Sequence, residues 1–177
     1  MPEGLLQKGG NGLLFNLSWL AIVYSQSLWV AVPVVVVHLA VHLAWLGGGM
    51  RELRFIAAVA VFGLALDQFL FALGLFQLNG EAALAPLWLG CLWPVLATTL
   101  NHAFATLQKN LALAAVLGAA GGAGSYYAGT EMSAVGFASL PVGLVVIAML
   151  WAALFPALAL AARHVFAESH GDLHLAS

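Results

Sequence analysis

Asp67 lies in the middle of an apolar stretch and is the residue whose presence packing alone explains least. An ionisable side chain at mid-span costs roughly 2.5–3.5 kcal/mol on insertion scales, so such groups are kept where other protein groups meet them. Gly63, four positions earlier, and Gly74, seven later, project onto the same side of a helix. Helices approach closely along sides made of small residues, which directs Asp67 into a bundle rather than at lipid. Two further polar sets have helical spacing: His38 with His42, and Thr98 with Asn101 and His102. A glycine-rich run then puts Gly118, Gly122, Ser125 and Gly129 on one side, with Tyr126 beside it.

These residue types can hydrogen-bond across helices, relay protons or hold a metal. His38, His42 and His102, with Asp67 as a further ligand, form a candidate metal or haem set, because two histidines and a carboxylate suit iron. The spacing matches no H-E-x-x-H or multi-histidine pattern, and no G-x-S-x-G or Ser-x-x-Lys nucleophile motif is present. Gly121-Gly122-Ala123-Gly124 lies inside an apolar segment without a following lysine, so it is not a phosphate loop. These residues do not specify a cofactor.

The elements that must position them follow from composition. Of 177 residues, 63% are hydrophobic and 7% charged. A soluble domain is roughly 45–50% apolar and about 25% charged. With 5 Lys+Arg against 7 Asp+Glu, a nucleic-acid binder is excluded, and the single Cys91 allows no internal disulfide. A membrane helix needs roughly 20 apolar residues. Segments 12–27, 28–46, 54–76, 85–107, 110–129 and 140–162 meet or approach that length. The reading is an all-α polytopic membrane protein, a bundle of about six transmembrane helices forming one domain over 1–166, with a flexible cytoplasmic tail at 167–177. His164, His170 and His174 near that tail read as solvated. A cleaved leader ending near Ser25 to Ser27 competes with an intact first helix, and Asn16, Ser18 and Gln26 favour the intact helix.

With six spans and a cytoplasmic N-terminus, Lys8, Arg51, Arg54, Lys109 and Arg163 all fall inside, and Glu81 and Glu131 outside. Both termini are then cytoplasmic. Trp29, Trp45 and Trp88 fall near the expected interfaces, whereas Trp151 lies mid-span. Counted at about 1.5 Å per residue, Asn16, His38, His42, Asn101 and His102 lie roughly 5–12 Å from the cytoplasmic ends. Asp67, Ser125 and Tyr126 lie roughly 20–24 Å deep, with Thr98 between the tiers.

The chain resembles a bacterial inner-membrane family catalogued as domain of unknown function 2878. The resemblance covers roughly residues 11–165 and is carried by Asn16 with Trp19, the histidine-bearing second segment, and Gly63-x-x-x-Asp67. Pro86-Leu87-Trp88-Leu89, Trp93, Thr99-Leu100-Asn101-His102, Gly121-Gly122, Ser125-Tyr126 and Ala128-Gly129 complete it. It implies a small multi-pass protein without an assigned activity. It also implies relatives encoded near fatty-acid-modifying methyltransferases and flavin oxidoreductases, which leans toward lipid metabolism.

The leading functional expectation is an accessory or lipid-related binding protein of the bacterial cytoplasmic membrane, with an intramembrane Asp/His site. Its expected partners are membrane lipid and, through the glycine-rich fifth helix, a second copy or another membrane protein. The alternatives are a membrane-embedded metal-dependent enzyme acting on lipid and a small proton-coupled transporter, for which no internal repeat is visible.

Overall fold

A computed structural model describes the backbone of residues 2–46 and 49–171 and the side chains of 4–46 and 49–165. The histidines at 170 and 174 and the expected tail at 167–177 fall outside the described side chains. The fold is all-α, as the composition requires. Its elements are α1 (Pro2–Ser25), α2 (Leu28–Leu46), α3 (Gly49–Ala72), β1 (Phe76–Leu78), α4 (Leu87–Gly90) and α5 (Leu92–Ala97). After these come a 3₁₀ turn (Ala105–Lys109), α6 (Leu111–Met132), β2 (Val135–Phe137) and α7 (Leu140–Gly171).

Among the described residues four helices are long and apolar enough to cross a membrane: α2, α3, α6, and α7 over Leu140–Val165. Helix α1 is as long as α3, at 24 residues, but it is not among those four. The expected span at 85–107 is not one helix. It breaks after Gly90, and α5 ends at Ala97. There the Thr98 and Thr99 hydroxyls donate to Val95 O and Leu96 O at 2.7 and 2.6 Å, occupying carbonyls that a longer helix would bond through its backbone. Tight turns then carry the chain through His102 to Lys109. Such backbone is tolerated at membrane depth only when protein surrounds it, and Thr98, Thr99 and Leu100 are fully buried.

Glycine sets the close approaches. A Cβ on Gly63 would fall inside the Trp93 ring, so α3 meets α5 there. Gly118 and Gly122 receive Phe155 and Trp151, so the small-residue side of α6 that suggested self-association is covered at those positions by α7 of the same chain. Gly74 does something other than the sequence spacing implied. Helix α3 ends two residues before it, and Gly74 adopts φ +71° while Leu75 N reaches back to Leu70 O and Gly74 N to Phe71 O. That is a Schellman terminator.

Two ends of the bundle differ in chemistry. At one, β1 pairs antiparallel with β2, Phe76 facing Phe137, and ties the α3–α4 and α6–α7 connections together. The Gln26 amide brackets this end, donating to Met132 O and accepting from Ala134 N. Gln68 brackets Ala85 in the same manner. By chain connectivity the opposite end carries Lys8, Arg51, Arg54, Lys109 and Arg163. We refer to these as the β end and the basic end.

Candidate functional site

Near the basic end, α1, α2, α3 and the turn after α5 bring seven polar side chains into one network. His42 Nε2 lies 3.0 Å from Glu52 Oε1, and His102 Nε2 lies 3.2 Å from the same oxygen. The His42 and His102 rings meet edge to face at 4.9 Å between centroids. Glu52 and His42 are buried, whereas His102 is 21% exposed. Asn11 fixes the proton positions. Its Oδ1 accepts from Ala103 N at 3.3 Å, so the amide nitrogen must face Thr98 O at 3.4 Å and His42 Nδ1 at 3.3 Å. His42 Nδ1 therefore accepts, and the ring proton sits on Nε2, directed at Glu52. Glu52 Oε2 is buried without a hydrogen-bond partner among the described residues.

His38 is separate from that convergence. Its ring stacks on His42 at 6.4 Å, and both nitrogens are engaged, Nδ1 with Ser18 Oγ and Nε2 with Thr98 Oγ1, each at 2.9 Å. The Thr98 hydroxyl donates to Val95 O, so its oxygen receives the His38 Nε2 proton and Nδ1 accepts from Ser18.

The metal set His38, His42 and His102 is thus not assembled as spaced. The group that converges is His42, Glu52 and His102, whose candidate ligand atoms lie within 4.8 Å of one another. A ligating histidine commonly donates its second ring N–H to an acceptor. His42 does the reverse, since its second nitrogen accepts from Asn11, and a metal would have to displace the proton on Nε2.

Asp67 belongs to a second, deeper group. Trp93 Nε1 donates to Oδ2 at 2.8 Å, and Tyr126 OH donates to Oδ1 at 3.4 Å. Asp67 is buried at 2% exposure and within a side chain's reach of α6. Trp93 stacks on Trp151 at 5.7 Å. The buried Trp151 indole N–H lies near the Tyr126 hydroxyl but outside hydrogen-bond geometry, and it has no hydrogen-bond partner among the described residues.

This second group walls a cavity of about 770 Å³. The cavity runs from Phe76 and Val135 at the β end to Phe104 and Leu107 toward the basic end, between α1 and α6. Leu117, Ala120 and Gly121 on its α6 rim are exposed, so it opens along that seam. Trp88, expected at an interface, is buried in its wall. Trp29 and Trp45 are exposed, at 91% and 47%.

Of the other expected site residues, Ser125 and Asn16 line the cavity, and the Asn16 amide donates to Gly12 O of its own helix. Asn101 joins neither group. Its Oδ1 accepts from Gln108, and its Nδ2 is buried without a partner among the described residues. Sequence reasoning missed Glu52, Asn11, Ser18 and Trp151 as site residues. A signal for Glu52 existed, because it precedes Gly63 by eleven positions and Asp67 by fifteen, which places all three on one side of α3.

The fold and these buried groups define a helical membrane protein with an aromatic-walled cavity edged by one carboxylate. The chain belongs to the family described as protein of unknown function (DUF2878), whose model matches residues 9–157. No curated protein and no solved structure matches it.

Proposed function

We propose that this protein holds an amphipathic membrane molecule in the cavity beside Asp67, as a binding or accessory component of a bacterial cytoplasmic membrane with both termini inside. The observation that carries the proposal is the cavity itself. Its volume, about 770 Å³, falls within the range of ligand sites, roughly 300–1,000 Å³, which are apolar with few polar groups. Aromatic side chains form much of the wall, Asp67 is its one carboxyl side chain among the described residues, and the seam beside α6 gives entry from the apolar side of the bundle.

Gly121 supplies the test. It lines the cavity, and a Cβ there meets nothing within 4 Å. Gly121→Phe is expected to fill the space without disturbing the bundle, and replacing a helical glycine adds up to about 1 kcal/mol of helix propensity. Mass spectrometry of organic extracts from gently purified protein should find a co-purifying molecule in the wild type that is absent from the variant. Equal recovery from both would remove the cavity as its binding place.

The convergence of His42, Glu52 and His102 favours a second reading, a metal-dependent enzyme acting on lipid. The direction of the Asn11–His42 hydrogen bond opposes it. Titration with Co(II) is expected to show no stoichiometric imidazole-type absorbance. A one-to-one signal abolished by Glu52→Gln would install the metal reading instead.

A further inference from the structure

We propose that the molecule in the cavity carries a neutral hydroxyl head group, seated between the Asp67 carboxylate and the Trp151 indole N–H. The inference rests on the cavity reading and adds the chemistry of the ligand's polar end.

Three observations on the wall lead there. Among the described residues no Lys, Arg or His lines the cavity, and Asp67 is the one carboxyl side chain that does. An anionic head group would be buried there at low dielectric with no cation to offset its own charge. Next, Asp67 has acceptor capacity left. A carboxylate offers about four lone-pair positions. Here Trp93 takes one at 2.8 Å, and Tyr126 reaches another at the long distance of 3.4 Å. Finally, the Trp151 N–H is buried in the cavity wall without a hydrogen-bond partner among the described residues, and an indole nitrogen can only donate.

The ligand's polar end must therefore donate to Asp67 and accept from Trp151 within one corner, where the Trp93 and Trp151 rings are 5.7 Å apart. A hydroxyl does both with one oxygen. An ammonium group donates but cannot accept, leaving Trp151 unsatisfied, while an ester accepts but cannot donate. A carboxylate accepts only and adds a buried charge that no cation offsets. The surroundings match membrane alcohols such as glycerides or isoprenoid alcohols, and disfavour free fatty acids.

The wall contains its own reporters, because Trp19, Trp88, Trp93 and Trp151 all line the cavity. Bromine quenches indole fluorescence, so four probes with one chain can be compared: dibromostearyl alcohol and the matching acid, amine and methyl ester. The signal is the saturable quenching that Gly121→Phe removes, which excludes the exposed Trp29 and Trp45. The alcohol is expected to bind about tenfold more tightly than the ester or the acid, the cost of leaving one buried polar group without its partner. Asp67→Asn and Trp151→Phe should each reduce that preference while leaving residual binding of the chain. If Asp67→Asn does not fold, Trp151→Phe, which keeps a ring and loses only the donor, answers alone.

An alcohol that binds no better than its methyl ester overturns the hydroxyl assignment and leaves the cavity reading standing. Preference for the acid or the amine also overturns it, in favour of an anionic or cationic head group. Absence of saturable quenching by any probe overturns the cavity reading itself.

Discussion

Glu52 takes two imidazole donors on one oxygen and leaves the other bare, whereas Asp67 spreads Trp93 and Tyr126 over both of its oxygens. The two carboxylates therefore respond differently to loss. Glu52→Ala would leave the His42 N–H buried and unsatisfied, at a cost of about 1–3 kcal/mol. His102, being partly exposed, can turn to water. Thermal unfolding in detergent should show Glu52→Ala clearly destabilised and Glu52→Gln, which keeps one acceptor oxygen, less so. Asp67 and the histidines were legible in the sequence because an ionisable group inside an apolar run is conspicuous. Glu52 is easily passed over despite its register with Gly63 and Asp67, because it follows Arg51 at the edge of a span and looks like loop charge. Its meaning comes from His42 across the turn and His102 fifty residues away, and no local pattern encodes that meeting.

Elements show the same division. Continuous apolar runs made α2, α3, α6 and α7 readable, but the run at 85–107 folds as α4, α5 and turns. Hydropathy sums composition and does not register that Thr98 and Thr99 occupy the last carbonyls of α5. The β1–β2 pair was equally hidden, since each strand has three residues and its partner lies about sixty positions away. The glycines yield a sharp contrast. Gly63→Ala forces a methyl group into Trp93 and should cost about 1–3 kcal/mol as overpacking, shifting the indole off Asp67. Gly121→Ala has open space and should be neutral or slightly stabilising. Melting temperatures of the two variants in one detergent would check this, and Trp emission would shift in the first only.

For the whole molecule, the asymmetry between a basic end and a β end is the main organising feature. All five Lys and Arg residues lie toward the former, while Glu81 and Glu131 adjoin the strands at the latter. The proposed orientation, with the basic end in the cytoplasm, follows the positive-inside tendency. A C-terminal green fluorescent protein should then glow, and a C-terminal alkaline phosphatase should be inactive; the reverse pattern would invert the protein. The broken α4–α5 segment also bears on biogenesis. As it leaves the ribosome it is apolar enough to enter the bilayer, yet it cannot satisfy its own backbone there, because the turns from Thr98 to Lys109 need surrounding protein. Its wall includes Trp151 and Phe155 of α7, which are synthesised later. Segment 85–109 must therefore wait, held by earlier helices or by the insertion machinery, until the last helix arrives. Chains truncated before α7 are the ones that membrane quality control should recognise and degrade.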